Sequence, residues 1–113
     1  MAVNKKASFP ESDQNLAELA KAMGHPARIM ILRTLAERQS CICGEIVEVL
    51  PLSQATVSQH LAALKDAGII SGEISGARSC YCINWEALKP ALENLEQFMA
   101  DLKSLAPKGG SCC

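Results

Sequence analysis

The chain has 113 residues, a formal net charge of −1 and a pI near 6.1; half of it is apolar but only 4% is aromatic. That is enough chain for one domain with a core of Leu, Ile, Val, Ala and Met. It excludes a protein that coats nucleic acid through bulk positive charge, and no apolar run approaches the roughly 20 residues of a membrane helix.

The N-terminal MAVNKKASFPES carries lysines with no apolar stretch behind them. It does not read as a secretory signal, so a cytoplasmic protein without a membrane partner is expected. Residues 1–11 form an N-terminal arm in this reading, 12–105 a single domain, and 106–113 a mobile tail. NLAELAKAM places Leu16, Leu19, Ala20 and Met23 on one helical face, with acidic and capping residues supplied by FPESDQ. Gly24 breaks that helix, His25 can cap the next, and Pro26 sits where a first-turn proline costs nothing. Ile29, Leu32 and Leu35 then face inward, leaving Arg28, Arg33 and Arg38 outside. GEIVEVLP reads as a short helix stopped by Pro51.

SQATVSQHLAALKDAG follows almost at once, with Ser53 as N-cap, Val57, Leu61 and Leu64 as its buried stripe, and Gly68 as its end. Two helices joined by so short a break make a helix-turn-helix candidate. IISGEISGARSCYCIN alternates around Ser-Gly-Ala and predicts a β-hairpin directly after the second helix, the position of a wing. NWEALKPALENLEQFMADLKSL repeats apolar residues at Trp85, Leu88, Leu92, Leu95, Met99 and Leu102, a heptad-like seam, with Pro90 marking a bend or a late start. The fold class expected is mainly α with a small β-hairpin wing, a winged helix-turn-helix. The seam exceeds what so small a domain can cover, which favours a dimer interface.

On the second helix of the pair, a turn of 100° per residue sets Ala55, Gln59 and Ala62 opposite the buried stripe. Thr56 and Ser58 flank them, and Gln54 lies in the exposed first turn. Small residues admit a groove, and glutamine can pair with adenine edges. Ser53, Thr56 and Ser58 can donate to phosphates, and Lys65 adds a cation on the same helix. His60 lies on the flank of the stripe and reads as a packing or phosphate residue. Arg78, beside the wing tip, is a backbone or minor-groove contact. The alternative for this helix is a solvated polar face.

All six cysteines fall into three tight pairs: Cys41 and Cys43, Cys80 and Cys82, Cys112 and Cys113. In a reducing compartment such pairs point to metal or redox chemistry rather than structural disulfides. Burial as small hydrophobes accounts for one or two of them and fits poorly with the pairing. A first shell made only of thiolates selects soft ions: trivalent arsenic or antimony, Cd(II), Pb(II) or Cu(I). No general-base histidine lies near a nucleophile pattern, and no carboxylate or glycine motif is catalytic, so neither an enzyme nor an organic cofactor is expected.

Over residues 12–105 these motifs resemble the ArsR/SmtB family of bacterial metal-responsive repressors. HPARIMILRTL looks like the family's second helix, LSQATVSQHLAALKDAGII like its turn and recognition helix, and ISGEISGARSCYCIN like its wing. The resemblance implies a homodimer joined through its first and last helices, here by Leu16, Leu19, Leu88, Leu92, Leu95, Met99 and Leu102. It also implies a double-stranded operator, an inverted repeat, bound without metal and released with it. Arsenic-responsive members carry a CxCxxC-like set before the recognition helix. Cys41 and Cys43 match its first pair, but its third position is Ile46, which cannot ligate. The family's zinc site on the last helix is absent, since the only histidines are His25 and His60.

In a winged helix the strand before the two helices pairs with the returning wing strand, which sets Cys41 and Cys43 against Cys80 and Cys82. Strands about 4.8 Å apart bring sulfurs within reach of the ~3.8 Å separation that a four-thiolate ion requires. In the opposing reading, Cys80 and Cys82 fill wing positions where the family often carries aromatics. Cys112 and Cys113 can act as a vicinal dithiol or cap the Cys41–Cys43 site. Two other classes remain open: a thiol-redox or persulfide-sensing repressor on the same fold, and a thiol-rich metal buffer without operator affinity.

Overall fold

Helix α1 (Glu11–Met23) begins where Pro10, at φ −54° and ψ 145°, turns the chain out of extended geometry. The structure, a computed structural model, describes residues 8–38, 41–43, 50–75 and 78–108, with the backbone alone at 42–43, 73–75 and 78–79. No side chain caps α1 at Pro10; Glu11 and Asp13 offset its N-terminal dipole instead. Gln14 Nε2 reaches back to the Phe9 carbonyl at 2.8 Å. Gly24 closes the helix, its N–H on the Lys21 carbonyl at 3.2 Å.

Helix α2 (Pro26–Arg38) starts as its sequence predicts: His25 Nδ1 accepts the Ala27 N–H at 3.0 Å, which satisfies one of the orphan donors of the first turn. Its inward face differs in one position from the expected one. Ile31 is fully buried beside Leu32 and Leu35, whereas Ile29 is only half-buried. Arg28 is not an outer residue either, since its guanidinium turns back onto the Lys21 and Ala22 carbonyls at 3.4 and 3.3 Å. There it caps the C-terminus of α1, where the helix dipole favours a cation.

Strand β1 (Ile42–Cys43) leads into residues 44–49, where the short helix was expected; those residues, like the N-terminal seven, lie outside the described ones. Helix α3 (Gln54–Asp66) follows Leu50, Pro51 and Leu52. Ser53 caps it, accepting the Thr56 N–H at 3.3 Å. Its end is set by Gly68 at φ +81°, a left-handed position glycine takes without penalty. The Gly68 and Ile69 N–H groups then bond back to the Lys65 and Leu64 carbonyls.

Strands β2 (Ile70–Ser75) and β3 (Arg78–Ile83) form the wing hairpin. β1 adds antiparallel to the other edge of β3, so the sheet order is β1-β3-β2. Its register matches Ile42 with Tyr81 and Cys43 with Cys80 on one side of β3, and Ser71 with Cys82 and Gly72 with Tyr81 on the other. Asn84 ties the wing shut: its N–H reaches the Ile69 carbonyl and its Nδ2 the Gly68 carbonyl, both at 3.0 Å.

Helix α4 (Trp85–Ser104) includes Pro90 within its span rather than starting after it. The ring removes one N–H from the ladder, and packing against α1 compensates, with Asn94 Nδ2 on the Ser12 carbonyl at 3.4 Å. Leu19 of α1 and Leu88 of α4 join Ile31, Leu35, Val57, Leu61, Leu64 and Ile70 in one core. Among the described residues no buried side-chain N or O lacks a partner, and no helix is long and apolar enough to cross a membrane.

Candidate nucleic-acid interface and thiol site

Burying Val57, Leu61 and Leu64 fixes the rotation of α3 and decides which residues face out. Gln54, Ala55, Ser58, Gln59, Ala62 and Lys65 are exposed, as the helical periodicity requires. Two glutamines among alanines and a serine leave a low polar surface, which is the shape a groove-reading helix needs. Ser53 and Thr56 are already engaged with each other, Oγ to Oγ1 at 3.0 Å, so their first role is to hold the helix start.

His60 belongs to a cluster that the sequence does not announce. It is half-buried, its Nδ1 accepts from Arg28 Nε at 3.2 Å, and its ring lies 4.3 Å from that of His25 at an interplanar angle of 42°. Partial burial, then His25 and Arg28, hold its pKa below the usual value. The ring is therefore a neutral spacer between the α1–α2 corner and α3. Nothing in the sequence signalled it, since His25 stands before one predicted helix and His60 lies inside another, 35 residues on.

The wing separates its two faces by strand alternation. Tyr81 and Ile83 pack on the core. Opposite Tyr81 stands Gly72, where an added Cβ would come within 2.7 Å of the Tyr81 ring and 2.8 Å of the Cys80 carbonyl. Glycine there lets the ring lie flat across the sheet. Cys80 and Cys82, one residue to either side of Tyr81, are half-buried and border a shallow cavity with Ser71 and Gly72. They occupy the face away from the core, which removes packing as their explanation.

On that face Cys41 and Cys82 are joined by a disulfide, with Cα atoms 4.4 Å apart and a sequence separation of 41. Cys80, the register partner of Cys43, is also disulfide-bonded. The structure thus brings the first two sequence pairs to one sheet, where Cys41 and Cys82 bond across strands and Cys43 stands in register with Cys80. Cys112 and Cys113 lie outside the described residues, and at Cys43 and Arg78 only the backbone is described.

Of the seam residues expected to meet a second copy, Leu19 and Leu88 are spent inside the protomer, each 4% exposed. Leu16, Leu92 and Leu95 are half-buried, and Met99 and Leu102 are exposed together with Phe98 and Leu105.

A capped helix with a small polar outer face, followed at once by a three-stranded sheet with a hairpin wing, defines a winged helix-turn-helix protein of the DNA-binding class. Comparison with known proteins agrees. Residues 25–71 match the model of the bacterial regulatory proteins of the arsR family. The HTH-type transcriptional regulator YgaV of Escherichia coli is 34% identical over 90 residues, covering 80% of this chain and 91% of the relative. The arsenical resistance operon repressor of Staphylococcus xylosus is 28% identical over 101 residues, 89% of this chain and 91% of the relative. Among solved structures, HlyU from Vibrio cholerae superposes with a TM-score of 0.64 at 27% identity, over 80% of this chain and 97% of that one. The chain belongs to the ArsR family of transcriptional regulators. It is a regulator and not an enzyme.

Proposed function

We propose that this repressor binds an inverted-repeat operator as a homodimer, through α3 and the wing. It leaves the operator when trivalent arsenic, antimony or another soft thiophilic ion is held by the reduced thiolates of Cys41, Cys43, Cys80 and Cys82. The observation that carries the reading is the meeting of Cys41 and Cys82 across two strands, on the face away from the core. Sulfur-only donors suit soft ions, and Cα atoms 4.4 Å apart leave room for side-chain rotamers to open a chelate. The printed name of the Staphylococcus xylosus relative, an arsenical operon repressor, supports the same inducer class.

The site is well placed to act on DNA binding. Cys41 and Cys43 precede the segment leading into α3, and Cys80 and Cys82 lie on the wing strand itself. Any change in the spacing of β1 and β3 is felt by both DNA-facing elements at once. The vicinal thiols of Cys112 and Cys113 tune inducer affinity or choice from the tail.

The test is operator release by fluorescence anisotropy, with fully reduced protein titrated with arsenite. The wild type should weaken on the operator by roughly 5- to 150-fold, the range of a typical allosteric coupling. Cys41→Ser and Cys82→Ser should bind DNA as before and lose the response. Release of the Cys41→Ser/Cys82→Ser double variant at wild-type arsenite concentrations would move the inducer site elsewhere, first to the tail dithiol.

A further inference from the structure

We infer that Cys41 and Cys82 are a redox-active dithiol that gates the inducer site: oxidation locks the repressor on its operator and blinds it to the thiophilic ion. This rests on the inducer reading above and sets the conditions under which it operates.

The register supplies the reason. In an antiparallel ladder, facing residues alternate between wide hydrogen-bonded pairs and close non-hydrogen-bonded pairs of about 4.5 Å. The 4.4 Å between Cys41 and Cys82 belongs to the close class. Counting two residues along each strand, the Cys43–Cys80 pair falls in the same class. The folded sheet therefore holds Cys41 and Cys82 at the lower end of the Cα range that a disulfide accepts, about 4.4–6.8 Å. In the disulfide-bonded structure β2 and β3 are paired from Ile70–Ile83 to Ser75–Arg78, and Ser53 caps α3. The bond is thus compatible with an intact winged helix, with α3 capped and the wing fully paired. A disulfide sulfur carries no thiolate charge and cannot serve as the anionic donor a soft cation needs.

With a peroxide as oxidant the chemistry balances. Cys41 is the more exposed of the two, Cys82 being half-buried. The Cys41 thiolate attacks one peroxide oxygen, the O–O bond breaks, and a sulfenic acid and hydroxide form. The Cys82 thiolate then attacks that sulfur, and the S–O bond breaks with loss of a second hydroxide. The two hydroxides take up two protons as water. Two thiols lose two electrons in all, and one peroxide becomes two waters.

The direction of this effect separates it from a redox-sensing repressor, in which oxidation itself would release DNA. Full-length protein is treated with hydrogen peroxide, freed of oxidant, and mapped by non-reducing peptide mass spectrometry. Operator affinity is then measured with and without arsenite, beside the reduced protein. The Cys41–Cys82 peptide should appear, operator Kd should stay within about twofold of the reduced value, and arsenite should no longer release DNA. Dithiothreitol should restore the response. Oxidised protein that binds the operator fivefold or more weakly overturns the proposal in favour of oxidation as the signal. Oxidised protein that carries the mapped bond and still answers arsenite overturns it too, as does failure of the peptide to form. A reduced protein that ignores arsenite is a separate failure, that of the inducer reading, and removes what the dithiol would gate.

Discussion

Arg28 Nε donates to His60 Nδ1 at 3.2 Å, while the same guanidinium caps the last carbonyls of α1. One side chain thus joins three helices. His25 Nδ1 is also an acceptor, from the Ala27 N–H, so both rings are held with their proton on Nε2. Protonating the His60 ring at Nδ1 removes its hydrogen bond and adds positive charge beside Arg28.

The pH dependence follows in sign. The His60 pKa is lowered by burial, by His25 and by Arg28, so below its unfolded value of about 6.5 the unfolded chain binds more protons than the folded one. The stability tied to this residue is whole above that pH and declines as pH falls towards the folded-state pKa. Urea unfolding of reduced protein between pH 7.5 and 5.5 should show the decline. His60→Asn, which keeps an acceptor for Arg28, should flatten it; equal slopes for both proteins would remove His60 as the cause.

Gly72 carries a steric prediction. Gly72→Ala places a Cβ 2.8 Å from the Cys80 carbonyl and against the Tyr81 ring, so either the ring or the strand must shift. Overpacking of this kind costs about 1–3 kcal/mol. Denaturant unfolding should show that loss in Gly72→Ala, and pairing it with Tyr81→Ala should recover part of it.

The exposed face of α3 gives a prediction on specificity. Gln54→Ala and Gln59→Ala should each weaken operator binding by roughly 1–3 kcal/mol where a bidentate base contact is lost, and change random-sequence binding little. Arg78→Ala should lower affinity on both and reduce the salt slope by about one unit. Equal loss on operator and random DNA for the glutamine variants would reassign that face to backbone contacts.

The apolar end of α4 predicts assembly. Met99 and Leu102 are 44% and 55% exposed in the protomer, and a two-fold interface uses the same patch twice. Leu102→Lys should give monomers by sedimentation and lose tight operator binding while keeping its fold. Leu88→Lys, by contrast, should unfold the protomer, because Leu88 is core. A wild type that sediments as a stable monomer at micromolar concentration would end this assignment.

Most of the fold was legible because its signals are local. Ser53, Gly68 and the Val57–Leu61–Leu64 stripe define α3 within sixteen residues, and the alternation around Gly76 defines the wing. That Cys41 and Cys43 come beside Cys80 and Cys82 was legible only once a fold had been assigned, since strand order is a long-range property, and the Cys41–Cys82 bond itself was not legible. What escaped was mostly tertiary. No period distinguishes Ile31 from Ile29 as the buried residue, and an arginine on a helix gives no sign that it will fold back onto a neighbouring helix end. The seam on α4 also concealed a division of labour: Leu88 belongs to the protomer's core, whereas Leu102 remains outside it.

Strand alternation on β3 places Tyr81 under the sheet and Cys80 and Cys82 over it. Residues that hold the wing together and residues that could capture an ion are therefore interleaved in sequence yet separate in space. If the proposed inducer site is correct, ligand preference can be rewritten at the cysteine positions, by swapping sulfur for imidazole or carboxylate, without touching the layer on which folding depends. On that reading the wing would be a chassis for building sensors of different ions beside the same α3.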